Sequence, residues 1–188
     1  MRHLASGQLF AHWNERRSGR ALPERGDIEP AAIRAALGDT FILGTESGDD
    51  LRFRVAGTRI CALLGRELKN EAFITLWATA HQAPMRGLLV AVGEEEIGVV
   101  AGARAHTPEG LDCDLELLLL PLRHRGSSGR RMLGALAPLA VPAWLGASWL
   151  EPLELGSLRY LTEETEPAMA SPAPALFNRV PAAEFRRV

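Results

Sequence analysis

LRFRVAGTRICALLG, residues 51–65, changes its period half-way along. Leu51, Phe53 and Val55 alternate with Arg52 and Arg54, the spacing of a strand with one apolar and one charged face. Gly57 stops the strand and Thr58 is placed to cap a helix, in which Ile60, Cys61, Leu63 and Leu64 recur at helical spacing until Gly65. A strand that passes directly into a short helix lays helical side chains over one face of a sheet, where a small core or a small pocket forms.

On either side the pattern extends. Upstream, Phe41 to Thr45 is a short apolar strand and ESGDD, residues 46–50, a turn, so the two strands make a hairpin. Downstream, the polar run Arg66 to Glu71 leads to Phe73, Leu76, Trp77 and Ala80 at helical spacing. Pro84 suits a helix start, and Met85, Leu88, Leu89 and Val92 form a stripe that ends at Gly93. From Glu96 the period becomes two: Val99, Ala101, Ala103 and Ala105 share one face, with Arg104 and His106 on the other. After the turn TPEG, Leu111, Cys113, Leu115, Leu117 and Leu119 alternate with Asp112, Asp114 and Glu116. A polar loop from Arg123 to Arg131 precedes a last strand over Met132 to Ala137. The class is α+β, with a five-stranded antiparallel sheet and helices inserted between strands two and three.

The flanks read differently. Ser6 can cap a helix in which Leu9, Phe10 and Trp13 share a face, while Arg16, Arg17 and Arg20 read as its solvated end. GRALPERGDIEP, residues 19–30, is a linker to a second helix that faces Ile33, Ala36 and Leu37 inward and ends at Gly38. Met132 to Leu150 carries no charge and has the length of a membrane span. Gly134, Pro138, Pro142 and Gly146 interrupt it, so a strand and then a buried, proline-broken loop are expected, not a span. TEETEPAMASPAPA, residues 162–175, is acidic and then rich in proline and alanine, which predicts a flexible tail. Three parts follow: a helical flank over 1–40, a domain over 41–161 and a tail over 162–188.

A chain of 188 residues supports one well-buried domain. A net charge of −2 supplies no field to hold a polyanion, so nucleic acid is not expected as a partner. Cys61 and Cys113 lie on apolar faces without metal-ligand spacing, which predicts free buried thiols and a reducing cytoplasm. The N-terminus lacks the continuous apolar region of a secretory signal. The sequence contains no P-loop, dinucleotide-type glycine pattern, HExxH or CxxC, and no metal site is expected. Asp112, Asp114 and Glu116 alternate with leucine and read as a solvated sheet face, not an acid cluster. His106 belongs to a strand and His124 to a polar loop. Haem ligation is considered only at His81, where the nearby proline and alanines do not define a haem pocket.

Eight separated pieces resemble a mainly alphaproteobacterial family of small single-PAS-domain proteins, formerly catalogued as a domain of unknown function. They are Trp13, GRALP (19–23), Asp27-Ile28, RFRVAGT (52–58), GREL (65–68), GALAP (134–138), WLG (144–146) and LELGSLR (153–159). The resemblance spans Gln8 to Leu161. It departs at Lys69, Asn70 and Glu71, where such proteins usually carry a glycine. The resemblance implies a PAS-like sheet and a cytoplasmic sensory or regulatory module with no catalytic residues to carry over.

On that reading Ile60, Leu63, Leu64, Phe73, Leu76, Trp77, Leu88 and Leu89 enclose a pocket for a small apolar ligand against the sheet. Alternatively they fill a solid core, and the chain is an interaction adaptor for a signalling protein. An enzyme with His106 and Asp112 as acid–base candidates is the third reading. Leu9, Phe10 and Trp13 are expected to form an apolar stripe outside the core through which the chain homodimerises.

Overall fold

The computed structural model describes residues 1–45, 50–123 and 129–161. Its frame is a sheet of β1 (Thr40–Gly44), β2 (Arg52–Ala56), β3 (Gly98–His106), β4 (Asp112–Leu122), β5 (Arg131–Pro138) and β6 (Glu154–Leu161), in the order β2-β1-β5-β4-β3-β6. All neighbours are antiparallel. Five strands follow the sequence reading, and β6 adds a sixth on the free side of β3. LELGSLR alternates poorly because Gly156 and Ser157 oppose Gly102 in a bulge: Ala101 pairs with Leu158 and Ala103 already with Leu155. The turn expected at 46–50 lies largely outside the described residues, as do His124, most of the β4–β5 loop and the tail.

One face of the sheet is covered by α2 (Thr58–Leu63), a 3₁₀ turn over Phe73–Leu76 and α3 (Thr79–Glu94). Gly57, not Thr58, is the N-cap of α2. A Cβ there would stand 2.3 Å from the carbonyl oxygens of Leu37 and Gly38, so only glycine lets the strand-to-helix corner close. Helix α3 begins at Thr79, five residues before the proline expected to open it. Pro84 therefore sits inside the helix, where its missing N–H forfeits the bond to the Ala80 carbonyl. The early start is fixed from outside the helix: Ala78 N–H donates to the Leu153 carbonyl at 2.9 Å, and Leu155 N–H donates to His81 Nδ1 at 3.2 Å.

The opposite face carries the N-terminal segment. Helix α1 (Leu4–Arg17) lies across β4 and β5 and joins Leu9 and Trp13 to Leu118, Leu120, Leu122, Leu133 and Ala135 in one cluster. This explains the run LELLLL in β4. Leu115, Leu117 and Leu119 serve the core under α3, and Leu118 and Leu120 the core under α1, so the strand is apolar on both faces. Glu116 is correspondingly buried, contrary to the expected solvated face; only Asp112 and Asp114 are exposed. Its carboxylate accepts the backbone N–H groups of Arg2 at 2.6 Å and His3 at 3.0 Å, just before α1 begins. The cap of α1 is His3, whose Nδ1 accepts from Ala5 N–H, whereas Ser6, expected as the cap, is buried within the first turn.

Two further expectations are corrected. Residues 30–36 form successive turns, not an α-helix, with Ile33 N–H donating to Pro30 and Ala36 N–H to Ile33. Such three-residue steps stack Ile33 directly over Ala36, and both are buried while Leu37 is 39% exposed. The segment after β5 is a strap, not a buried loop: Val141 is 71% exposed and Trp149 49%. It is anchored at its end, where Leu150 N–H donates to the Leu63 carbonyl and Leu153 N–H to the Leu76 carbonyl, each at 2.8 Å. Among the described residues no helix is long and apolar enough to cross a membrane.

Candidate functional site

Strand β2, α2, the 3₁₀ turn and α3 bring all the pocket candidates together. Ile60, Leu63, Leu64, Phe73, Leu76, Trp77, Leu88 and Leu89 are buried in one continuous cluster beneath the strap. The Phe73 ring is its hub, with centroids 5.5 Å from Phe41, 5.6 Å from Phe53 and 5.9 Å from Trp77. Phe41 and Phe53 also meet edge-on at 5.6 Å, a favourable aromatic geometry. These two rings, Leu68 and Met85 join the cluster without having been among the pocket candidates, although the alternation around Phe53 and the helical stripe at Met85 carried the signal. Phe41 reaches the hub because its strand partner is Gly134: a Cβ there would stand 2.2 Å from the ring edge. The cluster contains one polar anomaly. Trp77 Nε1 is buried and has no hydrogen-bond partner among the described residues.

The interface candidates are placed elsewhere. Leu9 and Trp13 lie beneath their own helix on their own sheet, and Trp13 Nε1–H donates to the Pro121 carbonyl at 2.9 Å. Phe10, half-buried, stacks on Trp13 at 6.1 Å. The expected external stripe is therefore an internal one, because β4 offers leucines on the face that α1 covers.

Polar candidates are spent on structure. His81 receives the Leu155 amide, and His106 Nδ1 lies 3.1 Å from the Thr107 carbonyl and not against Asp112, its register partner in β4. Asp114 pairs with Arg104 at 2.9 Å, which holds its carboxyl below the ordinary range. Asp39, just before β1, is fully buried and paired with Arg59 of α2. Burial pushes its carboxyl up despite the attraction of Arg59 and, more weakly, His3, and its Oδ1 lacks a partner among the described residues. Sequence reasoning passed over this pair because an aspartate after glycine reads as a turn. Both cysteines are free thiols, Cys113 buried and Cys61 half-buried, and burial raises both thiols.

Between its second and third strands the sheet carries the short α2, a 3₁₀ turn and the longer α3, which close over the aromatic hub. A family model described as PAS domain matches residues 1–137. The chain belongs to that family. No curated protein matches it. The match runs through α1, so the N-terminal helix belongs to the matched PAS region together with the sheet it covers. The strap and β6, which pin α3 through His81 and Ala78, lie beyond it. Membership places the chain among sensory and regulatory modules.

Proposed function

We propose that this PAS domain is a non-catalytic cytoplasmic regulatory module that relays signals through protein–protein contacts around a filled core. The observation that supports this is the aromatic hub: Phe73 touches three other rings within 6 Å where a ligand would otherwise lodge. The partners are a second copy of the chain or an unidentified signalling protein. The free thiols fit a reducing compartment. His106 addresses the backbone, not Asp112, which disfavours acid–base chemistry at that pair.

One observation favours a second reading, the sensing of a small apolar ligand with a single acceptor atom. A buried indole N–H without a partner costs about 1–3 kcal/mol, and an acceptor placed beside Trp77 would recover it. Native mass spectrometry with an absorbance spectrum of freshly purified protein separates the two. A mass equal to the polypeptide or its dimer supports the filled-core relay. An additional mass that is released on unfolding, and absent from Trp77→Phe, overturns it in favour of the ligand.

A further inference from the structure

The end of the molecule at the β3–β4 turn combines exposed apolar surface with negative charge. The strap runs past the start of β4 and leaves an open groove of about 480 Å³ lined by Leu111, Asp112, Asp114, Leu139, Val141 and Trp144. Leu111 is 51% and Val141 71% exposed, far more than a core-forming leucine or valine retains. Glu109 lies in the adjoining turn, its carboxylate receiving Ser148 Oγ–H at 2.9 Å and so tying strap to turn. Glu151 follows at the strap's anchored end. Beside the groove Arg104 is committed to Asp114 and Arg2 also attracts that carboxylate, so the excess negative charge rests on Asp112, Glu109 and Glu151.

We infer that this groove is the docking surface for the chain's own C-terminal stretch, ALFNRVPAAEFRRV, residues 175–188. The stretch has the complementary chemistry. Leu176, Phe177, Val180 and Phe185 are apolar anchors, and Arg179, Arg186 and Arg187 outweigh Glu184. Length permits the contact: residues 162–175 can span at most about 50 Å, whereas the return along β6 is only about 26 Å. The acidic run Glu163, Glu164 and Glu166 is repelled by the groove, which leaves the basic end as the part that binds. This inference stands apart from how the aromatic core is filled.

Hydrogen exchange on the full chain tests it, comparing the wild type with Phe177→Asp/Phe185→Asp and, on the groove side, with Asp112→Lys. A docked stretch populated about ten to one shields the groove, so each variant should speed exchange over 111–114 and 139–144 by on the order of ten-fold, leaving β1 and β2 unchanged. Asp112→Lys combined with Arg186→Glu/Arg187→Glu should restore the slow rate. Light scattering on the same samples should show an unchanged mass. Unaltered exchange in both variants overturns the inference. So does acceleration accompanied by a halved mass, since the occupant is then the same stretch of a second copy.

Discussion

Asn70 lies in the run Lys69, Asn70 and Glu71, where the resembling proteins usually carry a glycine, and its backbone shows what the turn demands. It adopts φ of 68°, the left-handed region that asparagine tolerates best among residues with a side chain. In that conformation its N–H donates to the Phe53 carbonyl at 2.9 Å, and Phe53 N–H donates to Glu71 at 3.0 Å, so the turn closes onto β2. Asn70→Val should therefore cost about 1–2 kcal/mol in urea denaturation, while Asn70→Gly should be neutral or stabilising. Asp39 carries a different strain. Its folded carboxyl titrates above the unfolded value, so the folded state binds the proton more tightly; the cost of the buried charge is relieved as pH falls through the folded value and is fully present above it. Arg59→Met removes the compensating guanidinium, which is partly exposed. We expect a loss of about 1–3 kcal/mol at pH 7 that shrinks as the pH is lowered and Asp39 protonates, measured by denaturation at several pH values.

At the scale of elements, α1 is held to the sheet by apolar burial and one indole hydrogen bond. Leu9→Ala should cost about 2–4 kcal/mol, and Trp13→Phe about 1–2 kcal/mol through the stranded Pro121 carbonyl, neither changing the mass in light scattering. The two thiols should also separate: Cys61 labels slowly in the native protein, and Cys113 only after unfolding. The strands were legible because β1 to β5 each keep a period of two or an apolar run between turn residues. That Ile60, Leu63, Leu64, Phe73, Leu76, Trp77, Leu88 and Leu89 would be buried together was legible for the same reason, since a helical stripe next to a sheet has one place to go. What the sequence could not show was which face each helix covers. Leu9, Phe10 and Trp13 form the same stripe whether a second copy or the leucines of β4 receive it, and only the paired leucines of LELLLL hinted at a second covered face. The start of α3 was misplaced because bonds from Leu153 and Leu155, some seventy residues away, override the local proline signal.

For the whole molecule, the two layers on either side of the sheet divide its labour. The layer of α2 and α3 packs the aromatic hub, while α1 seals the other face, so a perturbation of the N-terminal segment reaches the hub through the sheet, by way of β4 and β5. The pair Asp39–Arg59 is a second connection, since Asp39 leads into β1 and Arg59 belongs to α2.

The bulge at Gly156 and Ser157 has a bearing on solubility. Strand β2 is shielded at its outer edge by residues 70–73, whereas β6 borders the sheet on the far side with Leu158 and Tyr160 exposed by 42% and 40%. Such a strand would template the addition of further chains if it were flat, and the extra residue twists it out of register for that purpose. Deleting Ser157 would restore an even ladder with β3 and keep Leu158 on its present face. The shortened chain should fold and yet grow turbid with time at concentrations the parent tolerates, as fibrous aggregates recruit one β6 edge after another.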